Sequence, residues 1–422
     1  MMIKTIFILS QTYLHYASEE AFQRLGKNTK TVLILPLGEI PDSRITQYID
    51  EIVHVRGDCT LTLRPAFEFG AVAERIEAEI ALLGSARDIS IYCQQEDNLM
   101  VAARLRQAYG IAGDRPEQVE LFRDKLAMKT RVGESIAGSI PRHRRFDMQR
   151  YRENGQQYYQ ALCEYLGPRM VIKPVSGAGS VNVAIIESFS DFEAFGTLLD
   201  ETHYGFEYEV DEFIAGTMYQ CDSVIVDGGV KFSSVLELGC TNFEFVQGQP
   251  LSFMPSIPAQ LSDLLKDFNR RVIAALGLEN GVTHHEFFYD HDTGKITFLE
   301  IAMRVPGTIV VPLHADNCGI NLIDCSLYLA ADKRWLNTLQ TTAKNDRFAA
   351  LLPVGRGEVT RLHRPDLESD FGIDWFVSEG TSVALTETVQ DQAGVLRVYN
   401  TDPRALRRDF KRLQNFTATT CR

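Results

Sequence analysis

The chain has 422 residues, of which 45% are hydrophobic and 23% charged, which is typical of globular proteins and allows about three domains of roughly 150 residues. Its 56 Asp and Glu residues outnumber 43 Lys and Arg residues, for a net charge of −13, so the chain as a whole repels a phosphate backbone and nucleic acid is not an expected partner. The eight cysteines lack zinc-type spacing and the first apolar run, Ile6–Leu9, is too short for a signal or membrane segment, so we expect free thiols, a cytoplasmic location and no membrane association.

The first 120 residues alternate strand-like and helix-like segments. Helical periodicity is clearest in Ala66–Leu83, and it separates apolar, β-rich runs at Ile3–Leu9, Thr31–Pro36, Ile52–Val55 and Ile89–Cys93. This alternation predicts a Rossmann-like domain built on a parallel α/β sheet over residues 1–120. No GxGxxG motif follows the first strand, which argues against dinucleotide binding.

A second segment, residues 121–206, carries a hairpin with small residues at its tip. The strands Met170–Lys173 and Val181–Ile186 flank the loop Ser176–Ser180. Glycines there allow backbone N–H groups to approach phosphate oxygens, and Lys173 adds a positive charge. Because the chain has no Walker A motif, a plain glycine turn is the favoured interpretation of this loop taken alone.

A third segment, residues 207–335, is predicted to be α+β, and its last hairpin places two glutamates on adjoining strands. Glu286 lies on the strand Thr283–Phe288 and Glu300 on the strand Lys295–Ile301. A buried carboxylate is costly unless it is paired or bound to a metal, and two carboxylates suit Mg²⁺. The alternative is a structural ion pair between Glu300 and Arg304, which leaves both interpretations open.

The fourth segment, residues 336–422, is predicted to be α+β. Strands are expected near Phe348–Pro353 and Val395–Tyr399, followed by a basic helix that closes the chain. We expect this segment to complete the module formed by the preceding two.

Taken in chain order, these motifs form a recognisable set. They are Asp124-Lys125, Lys173-Pro174 with Ser176–Ser180, Asp211–Gly216, Glu286, and Glu300–Arg304. In this combination the sequence resembles the ATP-grasp superfamily over roughly Leu121–Ala331, and within it the L-amino acid ligases that make dipeptides. The resemblance implies an N-terminal α/β domain, a two-lobed ATP-grasp module and a C-terminal α+β segment.

The resemblance also implies roles for individual residues. Mg²⁺, with Mn²⁺ as a substitute, would be held by Glu286 and Glu300, and the catalytic residues would be Arg304 and Lys173. ATP would be bound by two lysines, the small-residue loop and a backbone segment that reads adenine, namely Lys125, Lys173, Ser176, Gly177, Ala178, Gly179, Ser180, Asp211, Glu212, Phe213 and Ile214.

Two positions depart from the pattern of the superfamily. Met218 replaces the usual ribose-binding glutamate, and Ala302 replaces the metal-site asparagine. A carboxylate elsewhere, such as Glu237 or Asp222, would have to compensate. Further candidates for the substrate pocket are Glu237, His284, His285 and Gly307, although a histidine on a strand more often has a structural role.

The implied function is an ATP-dependent ligase that activates a carboxylate as an acyl phosphate, joins it to an amine and releases ADP and phosphate. Amino acids are the expected substrates, and a homodimer is possible. One alternative is a carboxyphosphate- or formyl phosphate-forming enzyme of nucleotide or biotin metabolism. Another is a non-catalytic ATP-binding regulator, which the retained Glu286, Glu300 and Arg304 disfavour. Serine hydrolases and zinc proteases are disfavoured because GxSxG and HExxH are absent.

Overall fold

The computed structural model describes residues 4–58, 66–177, 182–202, 207–384 and 388–422. Its N-terminal part is a four-stranded parallel sheet in the order β3-β2-β1-β6, with a small β4-β5 pair beside it. The strands are β1 (Lys4–Leu9), β2 (Thr29–Pro36), β3 (Glu51–Val55), β4 (Gly57–Asp58), β5 (Ala66–Phe67) and β6 (Ile89–Cys93), and the helices are α1 (Glu19–Gly26), α2 (Phe69–Leu83) and α3 (Leu99–Tyr109).

This parallel sheet fixes the position of two loops that matter for the site. Strands β1 and β6 are adjacent, with β6 at one edge of the sheet, and both are mostly apolar and buried. Because the carboxyl ends of parallel strands meet at one edge, the residues after β1 and the residues after β6 lie side by side there. Ligand-facing side chains are therefore expected at this edge.

The next part is a four-stranded antiparallel sheet in the order β7-β10-β8-β9, and its apolar residues form one core with those of α6 and α7. A helical connection precedes it. The elements are α4 (Pro116–Glu120), α5 (Lys125–Ser135), β7 (His143–Arg145), α6 (Met148–Leu166), β8 (Met170–Pro174), β9 (Ala184–Ile186), α7 (Phe189–Thr202) and β10 (Tyr208–Glu212).

The largest sheet has eight strands in the order β15-β14-β11-β12-β13-β16-β20-β18, and a three-stranded sheet β19-β17-β21 accompanies it. The C-terminal strands β16, β18 and β20 thus extend the same sheet that carries the two glutamates. The elements are β11 (Thr217–Val226), β12 (Gly229–Leu238), α8 (Asn242–Val246), β13 (Leu251–Met254), α9 (Ala259–Leu276), β14 (Gly281–Tyr289), β15 (Ile296–Ala302), α10 (Val310–Cys318), α11 (Leu322–Asp332), β16 (Arg347–Pro353), β17 (Gly357–Leu362), β18 (Asp370–Trp375), β19 (Ser382–Val383), β20 (Gln392–Tyr399), α12 (Pro403–Leu413) and β21 (Thr419–Cys421).

The structure confirms the predicted fold class, a parallel α/β domain followed by antiparallel α+β sheets. The division into four segments stays a prediction. One local difference concerns the helix expected from Ala66, which begins instead at Phe69 because Ala66 and Phe67 pair with Gly57 and Asp58 as strands. None of the helices in the described ranges has the length and apolarity needed to cross a membrane.

Candidate active site

A cleft of about 950 Å³ lies between the four-stranded and the eight-stranded antiparallel sheets. Val171 and Ile185 line it from the small sheet, and Met218, Phe288 and Leu299 line it from the large sheet. Apolar walls contributed by two sheets suit a planar ring, which buries both of its faces in such a slot. We name this space the first compartment.

The segment between the two sheets offers the first compartment a free backbone donor. The N–H groups of Glu212 and Phe213 are used, since they donate to the carbonyl oxygens of Arg142 and Arg169 at 2.9 and 3.2 Å. No described residue accepts a hydrogen bond from the N–H of Ile214, which lines the compartment. A backbone donor beside an apolar slot can read the edge of a heterocycle.

Of the two carboxylates expected to compensate for Met218, neither Glu237 nor Asp222 is among the described residues that line the slot. Met218 is buried and lines the apolar slot. The side chain of Glu212 is already engaged, because Arg142 donates to it through Nε at 2.6 Å and through its backbone N–H at 2.9 Å. Sugar hydroxyls bound here would therefore depend on groups other than a free glutamate.

Four charged side chains form a buried ion cluster at the edge of the first compartment, namely Lys129, Lys173, Glu209 and Asp211. Lys129, which is fully buried on α5, donates to Glu209 at 2.8 Å and to Asp211 at 2.5 Å. Lys173 lies 3.0 Å from the Asp211 carboxylate. Burial alone lowers the pKa of Lys173, but Asp211 and Glu209 outweigh it and raise the pKa. Lys173 is thus a fixed cation on the compartment wall.

Lys125 connects the small-residue loop to the glutamate pair. Asp124 caps α5 by accepting from the N–H groups of Leu126 and Ala127 at 2.8 Å, which fixes Lys125 in the first turn. Its Nζ donates to the Gly177 carbonyl at 2.6 Å and lies 3.1 Å from Glu300 Oε2. A cation is therefore held between these two groups.

Only part of the predicted phosphate loop is described. The carbonyl of Ser176 accepts a hydrogen bond from Arg123 at 3.0 Å, and Gly177 lines the first compartment. A Cβ built on Gly177 would lie 2.9 Å from the Pro174 Cβ, so a larger residue there would require the turn to shift. The predicted contacts of Ala178, Gly179 and Ser180 lie outside the described residues.

Glu286 and Glu300 are direct cross-strand partners on β14 and β15. Among the described residues, contacts reach only Oε1 of Glu286 and Oε2 of Glu300, which leaves one oxygen of each carboxylate open. Burial alone raises the pKa of Glu300, but Lys125 and Lys173 outweigh it and lower the pKa, so this carboxylate stays ionised.

These two carboxylates fit Mg²⁺. No set of three or more His, Cys, Asp or Glu side chains in the described ranges is arranged to hold a metal by itself. Mg²⁺ commonly takes one or two protein carboxylates and completes its coordination with phosphate oxygens and water. The open oxygens of Glu286 and Glu300 match that requirement, and Ala302 adds no ligand.

A second compartment of about 990 Å³ adjoins the first and shares Asn242, Glu286 and Glu300 with it. The loops after β1 and β6 line it through Thr12, Tyr13 and the run Gln94–Asp97, as their common sheet edge requires. The glutamate pair therefore stands where the two compartments meet.

Arg304 points into the second compartment but does not pair with Glu300. Its Nε donates to Glu96 at 2.8 Å, and Arg123 contacts the other oxygen of Glu96 at 2.5 Å. Burial alone raises the pKa of Glu96, but the two arginines outweigh it and lower the pKa to about 2. The alternative interpretation of the sequence, in which Glu300 forms a structural ion pair with Arg304, is therefore wrong.

His284 lies in the second compartment and touches the glutamate pair. Its Nε2 is 3.2 Å from Glu286 Oε1, and its Nδ1 is 2.8 Å from the buried carboxylate of Asp222. Burial alone lowers the pKa of His284, but its bonds to these two carboxylates raise the pKa to about 9. His314, on α10, contacts Asp222 from the other side at 2.7 Å.

Two residues predicted for the substrate pocket, His285 and Glu237, line neither compartment and are not part of the site. His285 points to the opposite face of β14, where it packs against Phe268 and Phe298 and contacts Asn269 at 2.8 Å. Burial lowers its pKa to about 3. Glu237 pairs with Arg407 of α12 at 2.7 Å and lines neither compartment. Side chains alternate along a strand, which explains why His284 and His285 separate.

Gly307 does line the second compartment, where it lies close to the loop after β1. A Cβ at this position would lie 3.4 Å from the Tyr13 hydroxyl. A larger side chain would therefore crowd the loop after β1. The turn after β15 thus lies close to the N-terminal sheet.

Sequence reasoning missed several residues of the site, namely Glu96, Arg123, Asp222 as a partner of His284, Asn242 and His314. A signal was available for Glu96, because Gln94–Asp97 directly follow a buried parallel strand. His284 and Glu286 also share one face of their strand by simple alternation. No local pattern identifies Asn242 or His314.

Comparisons with known proteins agree with this geometry. Residues 167–311 match the ATP-grasp domain family. A Bacillus subtilis L-arginine-specific L-amino acid ligase is 24% identical over 242 residues, which cover 56% of this chain and 56% of that protein. The match therefore spans little more than half the length of this relative.

Two solved structures share the fold. The crystal structure of an L-amino acid ligase from Bacillus licheniformis covers 100% of both chains with a TM-score of 0.71 and 15% identity. The biotin carboxylase domain of a Hydrogenobacter thermophilus 2-oxoglutarate carboxylase, in complex with MgADP and bicarbonate, covers 95% of this chain and 87% of its own with a TM-score of 0.62 and 15% identity. The predicted resemblance to ATP-grasp proteins and to L-amino acid ligases is confirmed.

Proposed function

We propose that this ATP-grasp protein is an ATP-dependent carboxylate–amine ligase that forms an amide bond between two small molecules, at least one of them an amino acid. The observation that carries the proposal is the position of Glu286 and Glu300. They stand where an apolar slot with two fixed lysines opens into a second compartment containing Arg304. A nucleotide and a carboxylate substrate would meet there.

In the first compartment, the apolar walls and the Ile214 N–H would hold adenine, and Lys125 and Lys173 would bind phosphate oxygens. Glu286 and Glu300 would hold Mg²⁺, which when bound offsets phosphate charge during transfer. Positioning and electrostatic stabilisation account for most of the catalysis of phosphoryl transfer, so the protein needs no nucleophile of its own.

In the second compartment, Arg304 would bind the substrate carboxylate. The substrate oxygen attacks the terminal phosphorus, and the bond from that phosphorus to ADP breaks, giving an acyl phosphate. The amine then attacks the acyl carbon and phosphate leaves, while Arg304 stabilises the negative oxygen of the tetrahedral intermediate. The amine proton is lost during this second step, and the products are the amide, ADP and phosphate.

The charges of the second compartment favour a substrate with an uncharged side chain. Glu96 is paired with two arginines, Glu300 with Lys125 and Glu286 with His284. Four apolar side chains that belong to one core cluster also line the compartment, namely Leu251, Phe253, Val310 and Leu351. A charged side chain would lose its hydration there without gaining an unpaired partner. We therefore propose aliphatic or aromatic amino acids, in contrast to the arginine named for the Bacillus subtilis relative.

A substrate panel tests the proposal. Phosphate release should be low with Mg²⁺-ATP alone and should rise with pairs of leucine, methionine or phenylalanine and a second amino acid. Mass spectrometry should find the two joined with loss of water, and the nucleotide product should be ADP. A stronger response to arginine, lysine or aspartate would contradict the substrate class alone.

The main alternative is a carboxyphosphate-forming enzyme. It is supported by the fold that this chain shares with the biotin carboxylase domain. Phosphate release stimulated by bicarbonate or formate, without any effect of amino acids, would replace our proposal by that alternative. Nucleotide binding without turnover across the whole panel would favour a regulator. Release of pyrophosphate would contradict the acyl phosphate mechanism.

A further inference from the structure

The two oxygens of Glu286 have different surroundings. Oε1 receives the Nε2 of His284 at 3.2 Å and the Nδ2 of Asn242 at 3.4 Å. Oε2 receives no contact from any residue in the described ranges. One oxygen of this carboxylate is thus anchored by the protein, while the other is without a contact in the described ranges.

The anchor is itself held by a buried chain of hydrogen bonds. Asp222 stands directly opposite His284 in the register of β11 and β14, and it accepts from Nδ1 at 2.8 Å. Its second oxygen accepts from His314 Nε2 at 2.7 Å and from Gln220 Nε2 at 2.7 Å. Asp222 is 0% exposed and His314 is 1% exposed, so these hydrogen bonds are formed in the protein interior.

We propose that His284 is a positioning residue for Glu286, and that Asp222 and His314 act on the metal site through it. We name His314, Asp222 and His284 the positioning relay. The inference rests on the proposed function, because it assigns Oε1 of Glu286 as the anchored oxygen and Oε2 as the oxygen that binds Mg²⁺. Partners that orient a metal ligand in this way commonly contribute to metal affinity.

The relay acts through geometry. Nδ1 of His284 lies 2.8 Å from Asp222 and its Nε2 lies 3.2 Å from Glu286, so the ring bridges the two carboxylates. Removing the ring should therefore cost metal affinity by freeing the Glu286 carboxylate to rotate.

The test measures the affinity of ADP-saturated protein for Mn²⁺ by isothermal titration calorimetry, with circular dichroism as a check of folding. In His284→Asn the amide reaches Asp222 but falls short of Glu286, whereas in His284→Gln an amide nitrogen can still reach Glu286. We expect His284→Asn to weaken Mn²⁺ binding by about 10- to 100-fold, and His284→Gln to recover much of that loss. The exposed His291, on the loop of the same hairpin, gives the matched control His291→Asn, which should bind Mn²⁺ normally.

A double-mutant cycle separates the relay from a merely structural role. Asp222→Asn should weaken Mn²⁺ binding in the wild-type background but should add nothing in the His284→Asn background. Full additivity, or normal Mn²⁺ affinity of His284→Asn, would overturn the inference. Glu286→Gln separates the two proposals: normal Mn²⁺ affinity in this variant would instead contradict the metal site of the proposed function.

Discussion

The Nε of Arg304 donates to the carboxylate of Glu96 across 2.8 Å, although the two residues are 208 positions apart in the chain. Glu96 follows the last strand of the parallel sheet, and Arg304 follows the second glutamate of the metal site. The N-terminal domain therefore orients the arginine that the proposed chemistry needs, instead of serving only as a support.

Loss of the contact by which Glu96 orients Arg304 should slow catalysis more than it weakens nucleotide binding. In Glu96→Gln the side chain keeps its size but loses the charge that holds Arg304 and Arg123. We expect kcat to fall by about 10²-fold, as for a small misplacement of a group that binds the transition state. ADP affinity, measured by calorimetry, should stay close to that of the wild type. Unchanged kcat with the preferred amino acid pair would contradict this role of Glu96.

The same carboxylate should make stability sensitive to acid. The pKa of Glu96 is lowered to about 2 in the folded protein from an ordinary value of 4.5. Its stabilising contribution is therefore present above pH 4.5 and is lost as pH falls toward 2, at up to about 1.4 kcal/mol per pH unit. Urea unfolding of wild type and Glu96→Gln between neutral pH and roughly pH 3.5 should show the difference in unfolding free energy shrinking on acidification. A constant difference would contradict the lowered pKa.

The glutamate pair gives the sharpest test of the metal site. Glu300→Gln keeps the strand and its volume but removes an ionised oxygen ligand and the partner of Lys125. We expect turnover to fall by about 10²- to 10³-fold, the usual cost of losing one group that stabilises charge in the transition state, with an unchanged circular dichroism spectrum. The exposed Glu279, just before β14, provides the control Glu279→Gln, which should be fully active. Lower thermal stability with normal activity per folded molecule would indicate a structural role.

The buried ion cluster should contribute mainly to stability through Lys129. Lys129→Met would leave Glu209 and Asp211 with Lys173 as their one remaining partner within the cluster, and breaking a buried pair in this way typically costs about 3–5 kcal/mol. Arg131 lies exposed on the same helix, so Arg131→Met should change the unfolding free energy little. Chemical denaturation of both variants checks the prediction, and equal losses of stability would contradict it.

Much of the architecture followed from the sequence because it depends on local alternation. Period-2 patterns predicted the hairpin that carries Glu286 and Glu300, and alternating strands and helices predicted the parallel sheet of the first 120 residues. The same alternation places His284 and His285 on opposite faces of their strand, since successive side chains on a strand point to opposite faces.

Tertiary structure alone decided which charged groups meet. Glu96 pairs with Arg304, and Asp222 links His284 to His314. Glu237 pairs with Arg407 outside the two compartments. All of these contacts join elements that are distant in the chain. A strand pattern specifies which face a side chain occupies but not which element covers that face. The partners of a buried charge are set by packing between sheets and helices, because burial makes pairing necessary and only the assembled fold determines which partner is within reach.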